Sequence, residues 1–550
     1  MKRMGDIMAN SRICRGLASM GHVLHAWWRQ GLLARAGGGL QRAYANSASF
    51  RLWQCFGVGP DHYQQSLTYR DFRRLAALWQ GFGRRLEESL TCRGLRAIGR
   101  GWQWLADRSR LIALLSRLSL HQWLLVAFGL YLPLEFLIRD TLQLGFLSSI
   151  WEELFLLAAA VLVLWRRALR ATDAIRRETP LDIWLLLFFA VGFFLMSVVR
   201  PYPGVALPGY RIVVEYMLWF FLIVRLVEDD RDLKVLYVSL LLMSGFLALH
   251  GVYQYAVGVE IPVSWVSQTE MGVRTRVFSL TGSPNILGSL LVLTAPLVAA
   301  MIYFCRRVWL KVVAFGLTGC YILSLLFTFS RGAWVGMIAA VVIFALFIDK
   351  RLLAIMGAAM AGLLICVPSI TGRLTYLFTE DYAVASAIGG RTLRWQVGLQ
   401  LLHEHNPWLG FGLGRFGGAV AMENKLLDET EEFSYFYMDN YYLKTLVEMG
   451  YLGLIAFLLL ILALLVLGMR AIYRSDLSFN GQGALGRDPL WRAVGNMRLI
   501  AVAIYSGLVG VLVHCYFENI FEEPYMAAYF WGLAAVLMYL GYFRKQKPAP

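Results

Sequence analysis

Charge and cysteine are both scarce in this chain. Only 16% of its 550 residues are Asp, Glu, Lys or Arg, well short of the roughly one quarter usual in soluble domains, and that shortage excludes an ordinary water-soluble globular protein. Cysteine occurs seven times (Cys14, Cys55, Cys92, Cys305, Cys320, Cys366, Cys515). The number is odd, no CxxC spacing occurs and no pair is evidently placed for a bridge, so neither a disulfide framework nor a cysteine metal site is expected. A short apolar stretch followed by a small-residue cleavage site is also missing from the N-terminus, which argues against a cleaved signal peptide. Acidic residues are outnumbered, 36 against 52 Lys and Arg, for a net charge of +16. In a soluble protein such an excess would point to nucleic acid. Here membrane topology explains it, because cytoplasmic loops collect Lys and Arg, and no nucleic-acid partner is expected.

What is abundant is apolar: 58% of residues are hydrophobic, 14% aromatic, and the mean hydropathy is +0.56. Apolar runs of roughly 17 to 25 residues, each able to cross a hydrocarbon core as a helix, recur along the chain. They predict an all-α polytopic membrane protein embedded in a lipid bilayer, with about 12 transmembrane helices. The windows are 122–138, 146–164, 182–199, 212–227, 235–257, 285–304, 309–328, 333–348, 352–370, 442–469, 499–517 and 525–543. Residues 1–118 form a basic arm, either laid on the anionic inner leaflet as amphipathic helices or weakly ordered. Helices one to nine fall in 119–371, a long polar loop in 372–441, and the last three helices with a short basic C-terminus in 442–550. Every second loop is basic: Arg166 to Arg177, Arg231 and Lys234, Arg306 to Lys311, Lys350 and Arg351, Arg470 to Arg498, and Arg544 to Lys547. The positive-inside rule then places both termini in the cytoplasm and the 372–441 loop on the extracytoplasmic face.

That outer face nonetheless carries arginines: Arg139, Arg200, Arg211, Arg274, Arg276, Arg331, Arg373, Arg391, Arg394 and Arg415. Several sit in compact patterns. Arg274 and Arg276 precede Gly282-Ser283-Pro284-Asn285 at a helix mouth, where Pro suits the first turn and the Asn285 amide can bond to loop backbone or to a ligand. Ser330-Arg331-Gly332 occupies a very short turn between two spans. In Gly390-Arg391-Thr392-Leu393-Arg394-Trp395 a helical reading turns Arg391 and Arg394 the same way. Guanidinium groups converging outside a membrane suit a phosphate or pyrophosphate, whose oxygens the planar fork can grip in pairs. Taken singly, such arginines are equally well read as snorkelling anchors on lipid phosphates.

These elements together resemble one family. The combination Arg276-x5-Gly282-x-Pro284-Asn285, Ser330-Arg331-Gly332, Arg391-x2-Arg394-Trp395, Pro407-x2-Gly410-x-Gly412-x-Gly414-x-Phe416 and Asn440-Tyr441-x-Leu443-x4-Glu448-x-Gly450-x2-Gly453 is similar to the O-antigen ligase and O-antigen polymerase family of bacterial membrane proteins. The resemblance implies a GT-C-like fold and an enzyme of the bacterial cytoplasmic (inner) membrane. It implies transfer of a glycan from an undecaprenyl-pyrophosphate donor to a glycan or lipid acceptor on the extracytoplasmic face, with no metal or other cofactor. Pyrophosphate is already a good leaving group, so such a catalyst must stabilise its charge and activate the acceptor hydroxyl. Arg276, Arg331 and Arg391 are the catalytic candidates for the first role. Arg274, Asn285, Ser330, Arg394 and Asn440 are candidate substrate contacts.

The base departs from the family pattern. Ligases of this family usually place a His just before the Asn of the last motif, and here that residue is Asp439. It is read either as the base or as the cap of the helix that begins near Asn440. His405 is the alternative base and otherwise a structural loop residue. Gly410, Gly412 and Gly414 are read as backbone flexibility or close approach to the glycan, because no strand precedes them as a nucleotide loop requires. His250 and His514 are read as satisfied packing, and the role of Glu448 is left open. Two other function classes fit a chain of this kind: a multi-pass transporter, for which an internal repeat would be the usual sign, and a non-catalytic polysaccharide-assembly component.

Overall fold

The computed structural model describes residues 107–109, 116–169, 177–200, 202–262, 275–305, 307–366, 371–372, 375, 379–380, 384, 391–424, 437–477 and 497–544. All belong to the second of two compact units, Met1–Arg96 and Ala97–Pro550. Most of the basic arm 1–118, together with Arg274, Arg373 and part of the 372–441 loop, lies outside the described residues. Among those described, the secondary structure is helical throughout.

In chain order the helices are α1 (Leu120–Gly129), α2 (Tyr131–Phe136), α3 (Phe146–Leu169), α4 (Asp182–Val198), α5 (Pro203–Val214), α6 (Leu218–Leu226), α7 (Asp230–Val257) and α8 (Pro284–Phe304). They continue with α9 (Val308–Phe327), α10 (Arg331–Phe347), α11 (Arg351–Cys366), α12 (Arg391–Glu404), α13 (Ala419–Glu423), α14 (Tyr441–Leu477), α15 (Met497–His514) and α16 (Pro524–Met538). Eight segments are long and apolar enough to cross a bilayer: Phe146–Arg166, Pro203–Leu226, Asp230–Val257, Pro284–Phe304, Val308–Phe327, Tyr441–Ser475, Met497–His514 and Pro524–Phe543. The chain is thus a multi-pass membrane protein. A ninth segment, Leu120–Gly129 with Tyr131–Thr141, is bent by 81°, and α4, α10 and α11 are shorter apolar helices. Each window of the sequence therefore falls on helix, but three differ in shape from a plain span, and one of them, 212–227, joins the end of α5 to α6 through a turn at 215–217. The first is sharply bent at Leu130, and α14 is broken at Gly450, where the backbone turns to φ 63° and ψ −171°.

Small residues decide which helices lie innermost, since close packing in a membrane depends on backbone approach rather than on apolar burial alone. A Cβ at Gly336 of α10 would stand 2.7 Å from the Gly510 carbonyl of α15, and one at Gly507 of α15 would stand 3.0 Å from Leu293 C of α8. Accordingly α8, α15 and α16 have about four fifths of their most apolar window buried (78, 78 and 83%), against 22% for α3 and 28% for α9. The bundle has two chemically distinct ends. At one, Arg544 pairs with Asp230 at 2.8 Å and Arg166 with Glu228 at 2.8 Å. At the other, the starts of α8, α10, α14 and α16 meet the ends of α9 and α15, and the arginine patterns gather there.

Candidate active site

The turn between α9 and α10 is tight because Phe329 adopts a left-handed conformation (φ 50°), which costs of order 1–3 kcal/mol in a bulky residue. The neighbouring segment lies along it: the Val277 N–H donates to the Phe327 carbonyl at 3.1 Å, and Arg276 Nε donates to the Thr328 carbonyl at 2.9 Å. Beyond them Gly282 (φ 66°) turns the chain into α8, with Pro284 in its first turn. Arg276 is thereby buried, and its Nη2 donates to Asn285 Oδ1 at 3.2 Å. The amide's other end, Nδ2, donates to Glu518 Oε2 in the turn after α15. Arg276, Asn285 and Glu518 form one connected row.

A second row comes from the polar loop. Residues 391–404 form α12, as the sequence predicts, with Arg391 at its first position. Arg391 Nε is ion-paired with Asp439 Oδ2, and Nη2 donates to the Phe517 carbonyl at 3.0 Å. One turn on, Trp395 Nε1 donates to Asp439 Oδ1 at 3.3 Å. Asp439 thus does not cap α14. Asn440 does, its Oδ1 accepting from the Leu443 N–H at 3.0 Å, while the Tyr441 N–H donates to the Cys515 carbonyl at 2.9 Å. Arg394 Nη1 donates to the Tyr437 carbonyl at 3.1 Å, which ties the start of α12 to the strand of chain entering α14.

Both rows meet on the turn 515–523. Its Glu518 is buried, and its carboxyl is pushed above the ordinary carboxylate range by burial and by the Asp439 charge, against the opposing pull of Arg391, the Asn519 N–H and the Asn285 amide. Glu523 is raised to about 7 by burial and by Glu522 and Glu518. The remaining arginine, Arg331, begins α10 beside the same turn: a Cβ on the next residue, Gly332, would stand 2.6 Å from Phe517 Cβ.

A buried ionic triad fixes this turn to the loop. Lys444 Nζ lies 2.9 Å from Glu448 Oε2 and 3.2 Å from Glu522 Oε2, with all three side chains almost fully enclosed. Glu448 Oε1 also accepts from the Phe416 N–H at 3.0 Å, and Glu522 Oε1 from the Ala419 N–H at 2.7 Å. Removing one member of such a set leaves an uncompensated buried charge, a loss of about 3–5 kcal/mol.

The glycine motif lies against neighbouring backbone. Gly410 and Gly412 are left-handed (φ 81° and 114°), and the loop that holds them packs against the break in α14. The Phe411 and Gly412 N–H groups donate to the Val447 and Glu448 carbonyls at 2.7 and 3.0 Å, and the Tyr451 and Leu452 N–H groups donate to Pro407 and Trp408 at 2.8 and 3.2 Å. The break at Gly450 interrupts the helix ladder, and the loop supplies partners for the freed backbone groups, as buried peptide groups require.

The structure therefore brings Arg276, Asn285, Arg391, Asp439 and the start of α10 at Ser330 and Arg331 to one end of the bundle, with Asn440 and Arg394 holding backbone beside them. His405 is bonded elsewhere: its exposed ring contacts the Leu401 carbonyl at 2.9 Å and packs edge-on against Phe411. His250 and His514 are satisfied by Ser279 and Ser289 at 2.9 and 2.8 Å. Glu518, Glu522 and Lys444 were not picked out from the sequence. Their only signal there is charge lying close to an apolar window, in Phe517-Glu518-Asn519-Ile520-Phe521-Glu522-Glu523 and in Lys444 within the tenth span.

The buried Arg276, the partly exposed Arg331 and Arg391 and the buried carboxylates Asp439 and Glu518, drawn from segments far apart in the chain, can stabilise charge and move a proton. A family model described as O-Antigen ligase matches residues 316–458. No curated protein matches the chain. The matched segment runs from within α9 into α14 and carries Ser330, Arg331, Arg391, Arg394, His405, Asp439 and Asn440, and over that segment the chain is similar to the O-antigen ligase family.

Proposed function

We propose that this protein is a metal-independent membrane glycosyltransferase of the O-antigen ligase or polymerase type. It takes a glycan from an undecaprenyl-pyrophosphate donor and passes it to a hydroxyl of a glycan or lipid acceptor on the extracytoplasmic face of the bacterial inner membrane. In this reading both termini are cytoplasmic, the three short apolar helices and the bent pair complete about twelve spans of a GT-C-like bundle, and the product belongs to a cell-surface polysaccharide such as lipopolysaccharide. The observation that carries the reading is that Arg276, through Asn285 and Glu518, and Arg391, through the Phe517 carbonyl, are tied to one turn although they lie more than a hundred residues apart.

Chemically, the acceptor oxygen attacks the anomeric carbon while the bond from that carbon to the pyrophosphate oxygen breaks. Arg276, Arg331 and Arg391 neutralise the charge that develops on the departing pyrophosphate. Arg274, Asn285, Ser330, Arg394 and Asn440 are assigned to substrate contact or to its immediate frame. The hydroxyl's proton passes to a carboxylate of the site, of which Asp439 is the member that the sequence singles out.

Purified protein in liposomes, given a labelled undecaprenyl-pyrophosphate glycan, an acceptor glycan and a metal chelator, is expected to release undecaprenyl pyrophosphate and to lengthen or glycosylate the acceptor. Recovery of intact donor from folded, donor-bound protein would sink this reading.

A further inference from the structure

Two carboxylates link to the arginine rows, Asp439 directly to Arg391 and Glu518 through Asn285 to Arg276, and their surroundings differ. Asp439 accepts from a guanidinium at one oxygen and from an indole N–H at the other. A proton placed there breaks a charge-assisted bond to Arg391, whose orientation the leaving group needs. Glu518 accepts only neutral donors among its recorded bonds, the Asn285 amide at Oε2 and the Asn519 N–H at Oε1 at 3.2 Å. Two lone-pair positions remain on its oxygens, and a proton can be added without releasing a cation.

Its position is equally specific. Glu518 lies one helical turn beyond His514, to whose carbonyl its N–H donates at 3.1 Å, so its backbone is held at the end of α15. Through Asn285 it is joined to Arg276, and Arg391 bonds the carbonyl of the preceding residue, Phe517. The ionisable groups acting on it or acted on by it are Asp439, Arg391, Tyr437, Cys515 and Glu523, with Arg276 linked through the amide.

We propose that Glu518 is the general base of the transfer and that Asp439 is a positioning residue that holds Arg391. The proposal rests on the glycosyltransferase reading above. In the step, the acceptor O–H proton moves to a Glu518 oxygen, the acceptor oxygen forms the new glycosidic bond, and the electron pair of the broken bond leaves with the pyrophosphate. Glu518 then returns its proton to outside water. Burial and the Asp439 charge, which raise its carboxyl, bring it toward the range where a base works best near neutral pH.

The test compares wild type with Glu518→Gln, Glu518→Asp and Asp439→Asn, as full-length protein in liposomes, over a pH series with the labelled undecaprenyl-pyrophosphate glycan. A base must be ionised, so wild-type turnover falls as pH drops through the Glu518 value. Glu518→Gln is expected to lose about 10²–10⁴-fold in kcat, to lose that acid limb, and to keep donor binding. Glu518→Asp keeps a reduced rate with the limb still present, which a purely structural role would not produce. Asp439→Asn raises the donor KM and keeps the limb. Wild-type release with Glu518→Gln equally active, or with the acid limb removed by Asp439→Asn alone, overturns the proposal only. No release by wild type overturns the glycosyltransferase reading and the proposal with it.

Discussion

Arg391→Ala is expected to lower undecaprenyl-pyrophosphate release by about 10²–10³-fold, the usual loss when one preorganised donor to a developing anion is removed. The size follows from where the side chain stands. Arg391 touches Asp439 and the Phe517 carbonyl at once, so its charge is fixed before substrate arrives and needs no reorganisation during the step. The alanine variant loses that charge and also leaves Asp439 without its cation. Arg391→Lys keeps the charge but not the planar fork, and it recovers only part of the rate, because a lysine cannot bond the carboxylate and the carbonyl in the same geometry. Single-turnover rates with donor prebound read this directly. A wild-type rate in Arg391→Ala would remove this residue from the site.

Gly450→Ala is expected to be the most damaging substitution for the fold, costing about 2–6 kcal/mol as backbone strain and overpacking together. The backbone there lies at φ 63° and ψ −171°, a region that essentially only glycine enters. A Cβ would stand 2.5 Å from the carbonyl carbon of Trp408, and that carbonyl belongs to the loop that pairs the broken helix. Neither side can yield alone: Gly410 faces the same contact, where a Cβ would stand 2.6 Å from the Glu448 carbonyl. The variant therefore releases the glycine loop, and with it the Phe416 N–H that Glu448 accepts. Gly357→Ala in α11 is the control, since nothing lies within 4 Å of its added Cβ. Thermal unfolding in one detergent should show a large fall for Gly450→Ala and little change for Gly357→Ala. Equal stability of the two would contradict this account of the break.

The apolar windows were legible in the sequence because a bilayer imposes length and hydropathy on anything that crosses it, and a helix or bent pair occupies each of the twelve. What hydropathy cannot show is backbone direction inside an apolar run. The 81° bend at Leu130 and the break at Gly450 both lie within stretches that read as continuous. Among the candidate-site residues, Arg276, Asn285 and Arg391 could be singled out because arginine and asparagine in these patterns on the less basic side stand out against topology. Glu518 and Lys444 were not, since a carboxylate after a span is ordinary as loop charge, and only the fold brings it beside Asn285. Of the two readings of Asp439, base or helix cap, the structure removes the cap, which Asn440 supplies. Both are good caps by propensity, and it is the Arg391 and Trp395 partners, contributed from another element, that draw Asp439 away from the helix end. Of the glycines read as flexible or as approaching the glycan, Gly410 lies against the backbone of α14 and Gly414 against that of α5.

The central claim is that arginines from separate segments grip one pyrophosphate, and donor discrimination tests it most directly. Wild-type protein in liposomes is offered the same glycan on undecaprenyl pyrophosphate and on undecaprenyl monophosphate, and consumption of each is followed with the acceptor present. The account predicts that the pyrophosphate donor is consumed in strong preference and that Arg276→Ala or Arg391→Ala erodes that preference. Equal consumption of both donors by the wild-type protein would contradict it.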